Sequence, residues 1–521
     1  MTKRIDIVDS TLRDGAQAEG VQFSVEDKLA VCAVLFELGI PFIEAGNPGS
    51  NPKDAEFFLR AARAPFFPGL VAFGPTCRKF VAPEADAGLA QLLSAGTDYV
   101  SVFGKCWDLH ATQVLGITLD ENLDLISGTV RFLTQKGKKV FFDCEHFFDG
   151  YKANPAYALS ALKCAAEAGA TALVLCDTNG GAFPAEIAAA VGAVRKGLPR
   201  IQIGIHTHND GGLAVANSLA AVAAGASQVQ GTFLGLGERC GNANLSTIIP
   251  SLQLKLGYTC LPSESLPGLC EAAARVADLS NHTLSRYLPY VGTSAFTHKA
   301  GMHADGVLKV SRSFEHIEPS AVGNERRFVM SEMAGRTALL HKLSKHFPAL
   351  SKDSAEVAAI LARIKYMENE GYQYESADAS FLLEVHKALG KYVPSFDLIS
   401  YKTMSEYPGE DDLSALATVK IRVEDKTHLL AAQGDGVVNA LDAALRKCLE
   451  TFYPVLSAVS LVDYKVRVTS GKATASVVRV VITSTDGADT WTTVGVSPDL
   501  IRASFKALAD SLEYKLLFLT K

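Results

Sequence analysis

Eight short apolar runs, at residues 5–9, 41–46, 70–75, 99–104, 140–145, 172–177, 201–206 and 228–233, alternate with segments of helical period over the first half of the chain. No other feature constrains the fold as strongly. A short apolar run between turn residues reads as a strand buried on both faces, and strands separated by helices pair in parallel. Eight such units in about 250 residues predict a closed (β/α)8 barrel. The competing arrangement, a doubly wound open sheet, finds no support after the first strand, where no Gly-x-Gly-x-x-Gly occurs. The intervening helices carry their own signals. Residues 24–38 open on Ser24-x-x-Asp27 and close at Gly39, while 154–169 and 213–225 are alanine-rich.

Barrels of this kind place their chemistry where the strands end at the C-terminal edge. The polar residues cluster at those ends: Arg13 and Asp14 after the first strand, Glu44 on the second, Glu145 on the fifth, Thr178 after the sixth, His206 and His208 on the seventh. Side chains two apart on a strand share a face, so His206 and His208 present two imidazoles together, half of a divalent-metal site. The plainer reading is two structural histidines. Asp14 reads as a third ligand beside Arg13 as a fixed cation, against a surface ion pair worth little. Asn242, in the glycine-rich run 234–244, offers a neutral oxygen, against a plain turn with Glu238 and Arg239 paired. Asp143 and Glu145 share the inward face of the fifth strand. His110 and Trp107 follow the fourth as lid or packing residues, with packing preferred for Trp107. An Asp/His/His/Asn set suits Mg²⁺, Mn²⁺ or Zn²⁺ and leaves positions for the two oxygens of a 2-oxo acid, whose ketone the metal would polarise.

Bulk properties remove other classes. The net charge of −6 comes with no sustained basic run, which argues against nucleic acid or an anionic membrane surface. No apolar stretch reaches the length of a membrane span. The ten cysteines include no Cys-x-x-Cys pair, and Cys32, Cys144 and Cys176 sit in apolar patterns, as expected in a reducing compartment. Residues 1–4 run straight into the first strand, so no leader is expected and the expected location is cytoplasmic.

From about 261 to 400 the strand rhythm gives way to helical patterns at 331–346, 353–369 and 377–389, with a loop-like piece at 293–306 carrying His298 and His303. The polar run 405–412 reads as a linker. Beyond it a strand-strand-helix pattern is written twice, at 418–423, 429–433 and 436–449, then at 477–482, 491–496 and 498–512, with Gly434 and Gly495 in matching places. A repeated unit of this kind predicts a small pseudo-symmetric α+β domain, for dimerisation or ligand sensing. The expected division is therefore a catalytic barrel at 1–260, helical linker subdomains covering the active site at 261–404, and a regulatory or dimerisation domain at 405–521.

Three motifs, Asp9-Ser-Thr-Leu-Arg-Asp-Gly-Ala-Gln17, His206-Thr-His-Asn-Asp210 and Gly237-Glu-Arg-Cys-Gly-Asn242, resemble the signatures of the isopropylmalate, homocitrate and citramalate synthases, metal-dependent Claisen-condensing enzymes built on TIM barrels. Pro48-Gly-Ser-Asn-Pro-Lys-Asp54, Gly104-Lys-Cys-Trp-Asp-Leu-His110, Glu145-His-Phe-Phe-Asp-Gly-Tyr-Lys152 and Asp463-Tyr-Lys-Val-Arg-Val468 resemble the citramalate-forming branch, and the likeness spans essentially the whole chain.

The resemblance implies a set of roles. Asp14, His206, His208 and Asn242 would bind a divalent metal (Mn²⁺, Mg²⁺ or Zn²⁺). Arg13 would stabilise the developing alkoxide, Gln17, Glu44 and Thr178 would line the keto-acid site, and Glu145 and His303 would be catalytic. The implied reaction joins acetyl-CoA to pyruvate, with 2-oxoisovalerate or 2-oxoglutarate as the alternative acids of the same family. An obligate homodimer and an isoleucine-like inhibitor at the C-terminal domain are implied as well. Two positions depart from the pattern: Phe314 stands where the family usually has tyrosine, and Asn47 where the branch usually has tryptophan. A retro-aldol acyl-CoA lyase is disfavoured by the lack of a Gly-Cys-Pro-like loop and by the C-terminal repeat, which such lyases lack. A non-catalytic amino-acid sensor is disfavoured because every matched metal position is retained.

Overall fold

The computed structural model describes residues 3–299, 301–329, 335–344, 346–406, 415–469 and 476–519. Strands β1 (Asp6–Asp9), β2 (Phe42–Gly46), β3 (Leu70–Pro75), β4 (Tyr99–Lys105), β5 (Lys139–Glu145), β6 (Ala172–Asp177), β7 (Gln202–Thr207) and β8 (Gln228–Gly231) form a closed barrel in sequence order. β8 returns to β1 in parallel register, Asp6 opposite Gln228 and Val8 opposite Gln230. The expected (β/α)8 architecture is thus the observed one, with strand ends within two residues of their expected places.

Local chemistry sets the helices between the strands. The helix Val25–Leu38 is held at its start by a reciprocal cap, in which Ser24 accepts from the Asp27 amide and Asp27 accepts from the Ser24 amide. It stops at Gly39, whose φ of 90° suits glycine, and a Cβ there would come within 2.8 Å of Pro262. The helix Pro155–Glu167 is capped by Asn154 on the Tyr157 amide. The alanine-rich segment 213–225 forms the helix Ala214–Ala223.

Inward-facing residues change character along the barrel axis. Near the N-terminal ends, Val8, Phe42, Val71, Tyr99, Phe141, Ala172 and Val174 make an apolar floor, with Phe42 edge-on to Tyr99 and Phe141 at centroid distances of 4.8 and 5.5 Å. Two residues further along the same strands stand Glu44, Ser101, Asp143, Cys176, His206 and Gln230, all buried. The second core lies between the strands and the surrounding helices.

The described residues form two compact units: 1–296 with 316–326, and 297–315 with 327–521. The barrel unit therefore continues past residue 260, through the helix Leu269–Leu279 to Phe296. In the second unit the piece expected as a loop at 293–306 is partly ordered differently. β9 (Thr297–His298) pairs with β10 (Arg327–Phe328), and His303 sits on the helix Gly301–Lys309. The helices Arg336–Leu343, Ala355–Asn369 and Asp378–Ala388 answer the expected helical patterns, with 331–334 and 345 of the first outside the described residues.

The C-terminal repeat is strand-strand-strand-helix, not strand-strand-helix. β11 (Asp397–Ser405), β12 (Ala415–Val423) and β13 (Lys426–Gly434) precede the helix Val437–Glu450; β14 (Ser460–Val468), β15 (Val478–Thr485) and β16 (Thr490–Ser497) precede the helix Leu500–Phe518. β11 and β14, absent from the expected pattern, are edge strands that are mostly exposed: Val462 and Val468 are 61% and 62% exposed, and Tyr401 and Tyr464 are the residues that pack on the core. β14 does alternate, with Val462, Tyr464, Val466 and Val468 apolar around Asp463, Lys465 and Arg467, but these side chains lie on a mostly exposed edge strand. It follows that the polar run 405–412 does not separate domains. It joins two paired strands, its residues 407–412 lying outside the described ones.

Candidate active site and metal centre

The strand ends deliver polar groups to the C-terminal mouth. β1 runs into a turn in which Arg13 and Asp14 point inward. Arg13 donates through Nε to Glu44 Oε1 at 2.6 Å and through a terminal nitrogen to Asp14 Oδ2 at 2.7 Å, with its guanidinium 3.8 Å above the Phe73 ring. The side chain is only 12% exposed, so this is no surface ion pair. Burial by itself would favour the neutral form, but Glu44 and Asp14 outweigh it and hold the guanidinium charged. Ser10 also donates to Glu44 Oε1, at 2.7 Å, which fixes the carboxylate under Arg13.

From β7, His206 and His208 bring their Nε2 atoms within 3.3 Å of each other, and His206 Nε2 lies 3.5 Å from Asp14 Oδ2. All three residues are buried, and their ligand atoms lie within 4.8 Å of one another. Burial holds both imidazoles below their ordinary pKa, His208 at about 4, so the rings are neutral and offer lone pairs. Burial pushes the Asp14 carboxyl the other way, but the Arg13 guanidinium, with a hydrogen bond from Asn242, overcomes it and keeps it ionised. Asn242, paired across an isolated bridge with His208, donates through Nδ2 to Asp14 Oδ1 at 2.8 Å and to the Leu236 carbonyl at 3.2 Å. Its Oδ1 is buried without a partner, and a buried amide oxygen left unmatched is costly. Gly237 makes this approach possible, since a Cβ there would strike Asn242 Nδ2 at 2.2 Å. Two neutral imidazoles, one carboxylate and an unmatched amide oxygen fit a divalent ion of the O/N-preferring class.

A cavity of about 640 Å³ opens above these groups, lined by Arg13, Asp14, Gln17, Glu145, Thr178, His206 and His208 among others. Glu44 lies beneath Arg13 and Asn242 beside Asp14, both closed off from solvent. Of the site residues expected from the sequence, nine therefore meet at one mouth. The tenth, His303, belongs to the second unit, where it is exposed on its helix with its ring stacked on Phe314 at 4.5 Å.

Three neighbours were not expected. Lys105, at the end of β4, pairs with Glu145. Arg239, read from the sequence as the partner of Glu238, does reach Glu238 at 3.4 Å but also donates to both oxygens of Asp210 at 2.8 and 3.0 Å and to the Thr178 carbonyl at 2.7 Å. It thus ties together the loops after β6, β7 and β8 from a left-handed backbone conformation, φ 57°. Gln230 stands behind His206. Lys105 and Gln230 each sit at an inward period-two position, which is the signal that would have found them; Arg239 carries none, because its partners come from distant loops. Trp107 packs on His110 and His146 at centroid distances of 5.1 and 6.0 Å, as expected of a packing residue.

Comparison with known proteins extends the picture beyond the mouth. Residues 4–268 match the HMGL-like family, 290–372 the homocitrate synthase post-HMGL domain-like family, and 375–516 the LeuA allosteric (dimerisation) domain. The chain is 47% identical to the (R)-citramalate synthase of Aquifex aeolicus, covering 99% of this chain and 98% of that one. The (R)-citramalate synthase of Synechocystis is 46% identical, with 99% and 96% covered. The chain belongs to the isopropylmalate, homocitrate and citramalate synthase family. Within the family, the 2-isopropylmalate synthase of Solidesulfovibrio magneticus stands further off at 30% identity, over 98% of this chain and 96% of its own. Membership bears out the expected class of enzyme, an acyl-to-alkyl transferase. No helix among the described residues is long and apolar enough to cross a membrane.

Proposed function

We propose that this chain condenses acetyl-CoA with pyruvate and water to give (R)-citramalate and CoA, as the names of its relatives at 44–47% identity indicate. The observation that carries the reading is the single cluster of Arg13, Asp14, His206, His208 and Asn242 at the base of a cavity open to a small keto acid. Asp14, His206, His208 and Asn242 would hold a Mg²⁺, Mn²⁺ or Zn²⁺ ion, which supplies Lewis-acid polarisation of a ketone when bound.

The chain's own groups do the remainder. Arg13, fixed by Glu44 and by its stack on Phe73, offers N–H donors to the oxygen that becomes an alkoxide as the new carbon–carbon bond forms. Thr178 and Gln17 line the cavity where the acid's carboxylate is held. A proton must leave the methyl group of the acetyl thioester; the resemblance gives the base role to His303 and a catalytic role to Glu145, which lines the cavity. The carbanion equivalent adds to the ketone carbon, and water cleaves the thioester to free the carboxylate and CoA. The same reading assigns a catalytic barrel, a middle region bearing His303, and a C-terminal domain that pairs two copies and binds an isoleucine-like end product. The match of 375–516 to an allosteric dimerisation domain supports that last assignment.

The test is release of free thiol from acetyl-CoA with pyruvate, 2-oxoisovalerate and 2-oxoglutarate, with and without EDTA. Turnover confined to pyruvate and abolished by EDTA is expected. Preference for either larger acid would move the chain to a sister activity, and full turnover in the chelator would remove the metal from the reading. Isoleucine should inhibit the intact chain.

A further inference from the structure

His206 is gripped from behind by a residue outside every recognised motif. Gln230 is fully buried on β8, directly across from His206 in the register of β7 and β8. Its Oε1 lies 3.1 Å from His206 Nδ1. Its other end is already committed: Nε2 donates to Asp143 Oδ1 at 3.1 Å, and Asp143 Oδ2 accepts from Ser101 Oγ at 2.8 Å. A primary amide has one accepting end and one donating end. An amide that gives its N–H to Asp143 turns its oxygen on the imidazole, and an oxygen facing Nδ1 demands a hydrogen there. A neutral ring carries one such hydrogen, so Nε2 keeps a bare lone pair. That nitrogen is the one 3.5 Å from Asp14 and 3.3 Å from His208.

We infer that Gln230, oriented by Asp143, is a positioning residue that locks His206 in the Nδ1-protonated tautomer and so readies Nε2 for a divalent cation. The inference deepens the metal reading above and rests on it. Metal-bound histidines are commonly held this way through their distal nitrogen. His208 has no equivalent support, since its Nδ1 is buried without a partner. The chain Ser101–Asp143–Gln230–His206 crosses the barrel from β4 to β7, so it ties one ligand to the rigid sheet and leaves the other to the loop beyond β7. A glutamine that only filled space would leave the tautomer free.

Two measurements on the full-length, metal-free protein decide it. In ¹⁵N-histidine NMR, with His206 assigned by its disappearance in a folded His206→Gln, the Nδ1-protonated pattern is expected; the Nε2-protonated pattern overturns the inference. In calorimetric titration with Mn²⁺, Gln230→Met, which keeps the length and loses the acceptor, should bind roughly ten- to hundredfold more weakly than the parent. Its thermal midpoint shows whether the fold is kept, and equal affinity in a folded variant overturns the role of Gln230. A parent protein that binds no Mn²⁺, Mg²⁺ or Zn²⁺ sinks the metal reading itself, while the NMR pattern still reports the tautomer separately.

Discussion

The floor and the mouth of the barrel are built from the same strands, one pleat repeat apart, yet they obey opposite rules. At the floor, Phe42, Tyr99 and Phe141 fill the interior chiefly by shape and edge-to-face contact. At the mouth, Glu44, Asp143 and His206 occupy the next inward positions and are held by specific donors: Ser10 and Arg13 on Glu44, Ser101 and Gln230 on Asp143, Gln230 on His206. A buried charge is tolerated only with partners, so each mouth residue constrains the next. The floor can lose an atom group and remain a barrel. The mouth loses its chemistry with any one member.

The comparison breaks most visibly where a proposed metal ligand is removed. His208→Ala should lower thiol release by more than about a thousandfold, the several kcal/mol expected of lost Lewis-acid stabilisation, while urea denaturation shows a fold at least as stable. At the floor, Phe141→Ala should do the reverse: about 3–5 kcal/mol lost in urea denaturation, with turnover per folded molecule within a few-fold of the parent. A large activity loss there would show that the floor also governs the chemistry. Next in size is Arg13→Lys, expected to lower kcat by about a hundredfold, because a point charge cannot replace a fork that engages Glu44 and Asp14 together.

A pair of carboxylates sharpens the same contrast. Asp14 stays ionised among cations and imidazoles, whereas Asp9, fully buried on the helix-facing side of β1, is pushed up to about 7 by desolvation that hydrogen bonds from Thr11 only partly offset. A carboxyl whose folded pKa lies above its unfolded value stabilises the fold at low pH and loses that contribution as pH rises through the folded value. Relative to Asp9→Asn, the parent should therefore lose stability between roughly pH 4 and pH 7, by up to about 1.4 kcal/mol per pH unit. Denaturation curves at several pH values check this, and a flat difference would mean Asp9 is ionised in the fold. The smallest expected effect is at Arg239. Removing its hold on Asp210 and the Thr178 carbonyl by Arg239→Gln should lower kcat/KM about tenfold, the scale of one or two charge-assisted hydrogen bonds.

How much of this was legible beforehand varied with burial. The barrel strands were readable because burial on both faces leaves continuous apolar runs. Asp14, His206, His208 and Asn242 stood out as polar residues at strand ends. β11 and β14 were not expected: β11 shows no strict alternation, and although β14 alternates from Val462 to Val468, both are mostly exposed edge strands. His303 was expected on a loop and lies on a helix, since the glycines at 301 and 306 read as loop signals and were overridden within the helix Gly301–Lys309. Arg239 was matched with its sequence neighbour Glu238, although its shorter contacts are to Asp210 and Thr178.

The sequence by itself determined what depends on local period and residue type: eight strands, their helices, which residues face inward, and which strand ends carry the polar groups of the candidate site. Only the tertiary structure decided who holds whom. Gln230 reaches His206 and Asp143, Arg13 settles on Glu44 and Phe73, and Lys105 meets Glu145 because closing the barrel brings separate strands side by side. The physical reason is that inward direction is a property of one strand, whereas a hydrogen-bond partner is a property of the register between two.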